Sequence, residues 1–515
     1  MASLLPGVVR WLPCEFLLLA SVLCLGFVSA ARAADRPPNV LILCADDHAP
    51  YVMGAYGNAI VRTPNLDRLA FTGVRFSRAY CNSPVCTASR QSFLTGRYPR
   101  TVGVTRLETP LPASEVTLAE TLQAAGYDTA SFGKMHFNSN LKHGFDQRLD
   151  LADYRQWPPA RQPIELPAGV EVQPAWRPFK DPARIWLNSS VRPIGLHDEQ
   201  MDGTYFAQQG AAYLQSRREK PFFLMISFYE PHSPYRFPLE YRDRHRPEEI
   251  SVPPLGPEDE QQIPAIFRDL TAREKQGIAA AYYTSVEFMD KNVGLVLAAL
   301  DRSGQADHTI VIYLGDHGYM LGQHGRFEKH CSYEEATRVP LVMRYPGRFA
   351  SRMVSGTFVE LVDLVPTIHE LCGCGSKAPV QGRSLLSLLS GQTSKHREHV
   401  IVEYAPNEEI MIRDESWKLV YERGITRRTD GYDTERPLVP HWFRLFDLQH
   451  DPAEMHNVAD DPAHAATRQR LTGLLAEHLI QTARQPELTP KSDDPLTILD
   501  FCVQPRDVAG PNKPK

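Results

Sequence analysis

This chain lacks a strong charge of either sign. Its formal net charge is −5, from 56 basic and 61 acidic residues among 515. That balance leaves no electrostatic footprint for a nucleic acid or an acidic lipid surface, so no nucleic-acid partner is expected. Low-complexity tracts and a repeat period are also missing, which excludes solenoids and largely disordered scaffolds. Beyond the N-terminus no segment approaches the roughly 20 apolar residues that span a bilayer, so no membrane span is expected in the mature chain. Cysteine is scarce, with nine in all. Cys14 and Cys24 fall in the N-terminal segment, leaving Cys44, Cys81, Cys86, Cys331, Cys372, Cys374 and Cys502. These are too few for a disulfide scaffold, and no C-x-x-C spacing supports a zinc site.

What is present begins with a leader. Arg10 precedes the apolar run Phe16–Val28, and Ala31-Arg32-Ala33 fits a small-residue cleavage site. The run is too short for a membrane anchor, so residues 1–33 are read as a signal peptide. The mature chain would be exported, to a periplasm, a lysosome or the medium depending on the host. Asn188-Ser189-Ser190 is a glycosylation sequon, relevant only in a eukaryotic secretory pathway.

From Asn39 to about Leu371, short apolar runs alternate with amphipathic stretches such as Thr117–Ala125 and Thr271–Leu300. Asn39–Cys44, Thr129–Phe132, Phe222–Phe228 and Thr309–Leu314 look like buried strands. The pattern predicts an α/β fold with helices on both faces of a large, mostly parallel sheet. After Gly373 the strand candidates shorten, at His399–Tyr404, Trp417–Tyr421 and Phe443–Leu448, and a helix-like stretch covers Ala465–Thr482. The expected organisation is a large α/β domain over residues 34–385 and a smaller α+β domain with a polar tail over 386–515.

In doubly wound sheets, ligands bind beyond the carboxyl ends of the strands. Here the four clearest strands run into Asp46-Asp47, Lys134-Met135-His136, His232 and Asp316-His317. Singly, an Asp pair is usually a turn and a lone His an ordinary one. Together they put three carboxylates, three histidines and a lysine on one rim. Three carboxylates with a neutral donor suit a hard cation such as Ca²⁺ or Mg²⁺, and the remaining cations suit a tetrahedral oxyanion. Pro84 and Gly96 bracket a short predicted helix over Thr87–Thr95. Cys86 lies at its N-terminus, where the dipole favours anions, and Arg90 shares its face.

With these residues assembled, the chain resembles the type I, formylglycine-dependent sulfatases of the alkaline phosphatase superfamily. The signature stands as Cys86-Thr87-Ala88-Ser89-Arg90 with Thr95-Gly96-Arg97. The accompanying blocks are Asp46-Asp47, Gly133-Lys134-x-His136, Pro231-His232-x-Pro234, Asp316-His317-Gly318 with Lys329, Arg338-Val339-Pro340-Leu341, Asp363–Thr367 and Leu445–Leu448 with Asp451–Glu454. Ala88 stands where most members carry proline. His317 replaces a common asparagine, as in the iduronate-2-sulfatase-like and choline-sulfatase-like groups.

The resemblance implies an alkaline-phosphatase-like fold and a sulfuric ester hydrolase that releases inorganic sulfate, with a sulfated small molecule or glycan as substrate. It implies conversion of Cys86 to formylglycine by a formylglycine-generating or maturase enzyme. It also implies one Ca²⁺ at Asp46, Asp47, Asp316 and His317, with the modified Cys86 beside it. Carried over, the catalytic set is Cys86, Arg90, Lys134, His136, His232 and Lys329. Arg90, Lys134 and Lys329 would neutralise the sulfuryl group. His232, with Lys329, would protonate the departing alcohol, and His136 would take the proton as sulfate leaves by elimination. The alternatives are a phosphonate monoester or phosphodiester hydrolase on the same scaffold, and a non-catalytic anion-binding homologue.

Overall fold

The four apolar runs that end in polar residues lie side by side in the computed structural model, which describes residues 36–175, 183–375, 378–425 and 427–508. The expected leader lies outside the described residues. The main sheet has nine strands: β1 (Asn39–Ala45), β2 (Val74–Tyr80), β3 (Asp128–Gly133), β4 (Gln147–Leu149), β5 (Phe222–Ser227), β6 (Thr309–Gly315), β7 (Arg338–Arg344), β8 (Met353–Ser355) and β9 (Val359–Glu360). Their order is β4-β3-β5-β1-β6-β7-β2-β8, with β9 also on β2. Strands β3, β5, β1 and β6 run parallel. Gly133 pairs with Ser227, Ser227 with Cys44, and Ala45 with Gly315. The carboxyl ends are therefore level, and the residues beyond them emerge on one rim.

Because these strands are buried on both faces, successive residues feed two cores. Leu41 and Leu43 of β1 pack with the Asp202–Gln215 and Ala272–Arg302 helices. Val40, Ile42 and Cys44 share the other core with the Cys86–Thr95, Leu118–Ala124 and Leu364–Cys372 helices. Thr271 starts the long helix through a capping box with Glu274. This is the α/β fold with a mostly parallel sheet that the sequence predicts.

Five strands of the main sheet are not evident in the sequence: β2, β7 and the two- or three-residue strands β4, β8 and β9. In β2 the polar alternation of Val74-Arg75-Phe76-Ser77-Arg78 hides a strand, and in β7 Pro340 argues against one. The structure resolves the second case. Between β2 and β7 the register jumps from Phe76↔Leu341 to Ala79↔Val339, and β6 pairs only as far as Leu341. Pro340 sits at that bulge, where no ladder needs its missing N–H.

The C-terminal part is an antiparallel sheet of β10 (Val400–Tyr404), β11 (Glu409–Arg413), β12 (Trp417–Glu422) and β13 (Trp442–Asp447). Ile401, Ile410, Leu419 and Leu445 pack on the Ala465–Gln481 and Pro495–Cys502 helices. The opposite face, with Val402, Met411, Val420 and Phe446, joins a core of the main sheet. Among the described residues no helix is long and apolar enough to cross a membrane. The sequon asparagine, Asn188, is 3% exposed, and its amide closes a loop on the Arg192 backbone. Its side chain is therefore not available as a glycan acceptor in the folded chain.

Candidate active site

Cys86 is the first residue of the Cys86–Thr95 helix, which ends at Gly96 in the left-handed region, φ 68°. The thiol is nearly inaccessible, at 1% exposure. Its Sγ lies 3.1 Å from His317 Nε2 and 3.0 Å from Lys329 Nζ. Burial opposes ionisation of this thiol, but Lys134, Lys329, His317 and a hydrogen bond with His136 outweigh it and hold its pKa well below the ordinary thiol value.

One helical turn on, Arg90 is completely buried. Its Nε donates to Asp316 Oδ2 at 2.8 Å, and its Nη1 donates to the Lys134 carbonyl and to Ser227 Oγ, each at 2.6 Å. Its Nη2 stands 3.7 Å from Asp46 Oδ1. Arg90 thus ties together the ends of β1, β3, β5 and β6. Lys134 comes directly after Gly133, whose φ of 98° and contact with the Ser227 carbonyl leave no room for a Cβ. The Lys134 ammonium pairs with Asp46.

Asp46, Asp47, Asp316 and His317 are all at most 1% exposed. Asp316 Oδ1 accepts from the backbone N–H groups of Asp47, at 3.1 Å, and His317, at 3.0 Å. Asp46 Oδ1 and Asp47 Oδ2 have no hydrogen bond although buried. Ligand atoms of Asp46, Cys86, Asp316 and His317 lie within 4.8 Å of one another, as do those of Asp46, Asp47, Cys86 and His232. Buried carboxylate oxygens lacking hydrogen bonds are what a hard cation would occupy, so the cluster can hold a metal ion. The electrostatics agree. Burial lowers the His317 pKa, yet Asp316 and its neighbours raise it to about 9 overall. A field that retains a proton on imidazole will also attract a cation in its place.

His232 projects from the loop after β5, its Nε2 3.9 Å from Asp47 Oδ2. Burial disfavours its charged form, but Asp47 more than compensates and raises its pKa. His136 is lowered, chiefly by burial. It adopts φ 57° and is held by Gln91, whose Nε2 donates to the His136 carbonyl at 3.1 Å. The Lys329 ammonium reaches Asp47 Oδ1 at 2.5 Å.

The structure therefore brings together Asp46, Asp47, Cys86, Arg90, Lys134, His136, His232, Asp316, His317 and Lys329. Three supports are not marked in the sequence: Gln91, Ser227 and Tyr282, whose hydroxyl donates to the Asp47 carbonyl and accepts from Ala49 N. Gln91 could have been found from its place on the Cys86–Thr95 helix; Ser227 and Tyr282 carry no local signal. The cluster opens into a cavity of about 770 Å³ whose outer wall includes Leu107, Leu151, Trp186, Tyr229 and Tyr432.

The sulfatase family profile matches residues 38–374, and that of the N-sulphoglucosamine sulphohydrolase C-terminal region matches 322–481. An arylsulfatase of Clostridium perfringens is 28% identical over 476 residues, covering 86% of this chain and 94% of its own. An N-acetylglucosamine-6-O-sulfatase of Bacteroides thetaiotaomicron is 25% identical over 503 residues, 87% of each chain. Among solved structures, a phosphonate monoester hydrolase from Silicibacter pomeroyi superposes with a TM-score of 0.73 at 25% identity, covering 88% of this chain and 97% of that one. With a family match over most of its length, the chain belongs to the sulfatase family and is an enzyme that hydrolyses sulfate esters.

Proposed function

We propose that this enzyme is exported, that it removes sulfate from a sulfated carbohydrate, and that its nucleophile is Cys86 after conversion to formylglycine by a dedicated maturation enzyme. One observation carries this reading: the Cys86 side chain meets Lys329 and His317 at the head of a helix, beside buried carboxylate oxygens that lack hydrogen bonds. An aldehyde at that position would be hydrated to two geminal hydroxyls, one to attack sulfur and one to expel sulfate by elimination. Asp46, Asp47, Asp316, His317 and the modified Cys86 would hold Ca²⁺, which when bound supplies Lewis acidity to the nucleophile and the sulfate oxygens.

The chain's own groups do the rest. Arg90 is held through Nε and Nη1 by Asp316, Ser227 and the Lys134 carbonyl, while its buried Nη2 makes no hydrogen bond, so it orients the carboxylates and adds positive potential. Lys134 and Lys329 balance charge on the transferring group. Asp47 raises the pKa of His232 against the effect of burial, and the ring faces the cavity, which suits it to protonate the departing alcohol. His136, its pKa lowered by burial, is suited to accept a proton. Trp186, Tyr229 and Tyr432 line the cavity, an aromatic surface suited to the apolar side of a sugar. The match to a glycan sulfohydrolase C-terminal profile supports the carbohydrate assignment.

Likeness to a phosphonate monoester hydrolase favours a second reading on the same scaffold. Parallel kinetics on 4-nitrophenyl sulfate and 4-nitrophenyl phenylphosphonate, and then sulfate release from sulfated mono- and disaccharides, test both. Sulfate esters should be preferred, and a dominant phosphonate activity would overturn the substrate assignment. Intact mass of the Cys86 peptide tests the nucleophile, since formylglycine is lighter than cysteine by about 18 Da.

A further inference from the structure

Lys329 touches Cys86 but stands on a segment, residues 326–333, with no regular secondary structure. A long side chain on such a segment needs outside support to hold one position. That support comes from the C-terminal sheet. Arg428, on the connection from β12 to β13, donates from Nη2 to the His330 carbonyl at 3.0 Å and lies 3.4 Å from Glu328 Oε2. These are the two neighbours of Lys329 in the chain. Glu328 Oε1 also accepts from Arg326 Nη1 at 2.6 Å. Arg428 is itself held by Asp430, with Nη2 2.7 Å from Oδ2 and Nε 3.1 Å from Oδ1, and Asp430 accepts from the Tyr404 hydroxyl. The His330 ring lies parallel to Tyr404, with centroids 5.5 Å apart, and edge-on to Tyr432 at 5.2 Å. Tyr404 also packs on Val85 and Ala88, at the start of the nucleophile's helix.

We infer that Arg428 is a positioning residue for Lys329, and that the Arg428–Asp430–Tyr404 brace makes the C-terminal sheet part of the catalytic unit. Arg428 touches no reacting atom. It holds the His330 carbonyl on one side of Lys329 and the Glu328 carboxylate on the other, while Tyr404 joins that segment to the helix bearing Cys86. A displacement of about 1 Å at a reacting group can cost on the order of 100-fold in rate, so loss of the brace should appear in turnover.

The test is a double-mutant cycle of Arg428→Ala and Lys329→Ala in the full-length matured enzyme. It is read in kcat for 4-nitrophenyl sulfate and in the affinity for inorganic sulfate, because Lys329→Ala alone should leave little turnover. Arg428→Ala should lower kcat roughly 10- to 100-fold and weaken sulfate several-fold, with KM changed far less than kcat. In the Lys329→Ala background the same substitution should change neither readout by more than about twofold. Arg428→Lys should recover part of the activity, since lysine can reach the His330 carbonyl but cannot also form the fork to Asp430. If Arg428→Ala does not fold, Tyr404→Phe, which deletes only the hydroxyl bonded to Asp430, takes its place in the cycle. Additive effects, or wild-type kinetics for Arg428→Ala, would overturn the inference. The inference rests on Lys329 acting at the sulfuryl group. A neutral Lys329→Ala would remove both that reading and the inference, whereas additivity removes only the inference.

Discussion

Arg90 offers the sharpest test of how the strand ends are held. Its guanidinium makes three short hydrogen bonds in a site with no solvent access, and it faces Asp316 and Asp46. Arg90→Ala deletes those bonds, leaves two carboxylates without their counter-charge, and opens a void where a long side chain was. Three charge-assisted bonds at about 1.5–3 kcal/mol each would sum to more, but removing one partner of a buried ion pair costs about 3–5 kcal/mol because water and neighbours relax into the gap. The loss should therefore be about 4 kcal/mol, or ~8 °C in Tm at roughly 2 °C per kcal/mol for a large domain. Arg90→Lys keeps the charge and should lose about half as much, since an ammonium cannot reproduce the planar fork.

Calcium supplies the control. A cation on Asp46 and Asp316 replaces part of the missing positive charge, so the loss in excess Ca²⁺ should be visibly smaller than in chelator. Thermal unfolding monitored by circular dichroism under both conditions measures this. If Arg90→Ala melts within about 1 °C of the parent in chelator, the buried network contributes nothing to holding the rim. If the loss is the same with and without Ca²⁺, the ion is not bound by these carboxylates.

The same geometry sets three further outcomes. Asp46→Asn preserves shape and removes one charge from the proposed calcium site, so calcium affinity by titration calorimetry should fall about tenfold or more; an unchanged affinity would place the ion elsewhere. Burial works against ionisation of Asp363, but Arg397 and His396 overcome it and hold its carboxyl well below the usual range. With the folded pKa depressed, that stabilisation is complete at neutral pH and is lost as pH falls below about 4. Asp363→Asn should therefore be less stable at pH 7 yet show a flatter acid limb in urea midpoints; parallel acid limbs in the two proteins would refute the coupling. Glu230 behaves oppositely: burial first, then Asp202, push its carboxyl from 4.5 up to about 8. The native state then keeps a proton that the unfolded chain releases, so stability declines as pH rises across that interval. Glu230→Gln should remove the decline, and an unchanged slope in that variant would assign it to another group.

The reach of the sequence depends on the range of the interactions. Each site residue beyond β1, β3, β5 and β6 could be found because a short, buried strand ends just before it, and level strand ends do the assembling. The helix that begins at Cys86 is equally local, bracketed by Pro84 and Gly96. The hidden features depend on contacts between distant segments. Pro340 looks incompatible with a strand until a bulge in β2 removes the need for its N–H. Asn188 looks like a glycan acceptor until its buried amide is seen closing a loop on the Arg192 backbone. Tyr282 and Ser227 are ordinary residues of a helix and a strand until Asp47 and Arg90 come to rest on them. Ala88 shows the same dependence at the signature itself. In sequence it is only a departure from proline, whereas in the fold it is fully buried against Tyr404, the ring that also stacks on His330 beside Lys329. Chemistry at this site was readable because its residues sit where strands stop. The rigidity that lets those residues act together comes from a second sheet, whose contacts leave no periodic or compositional trace.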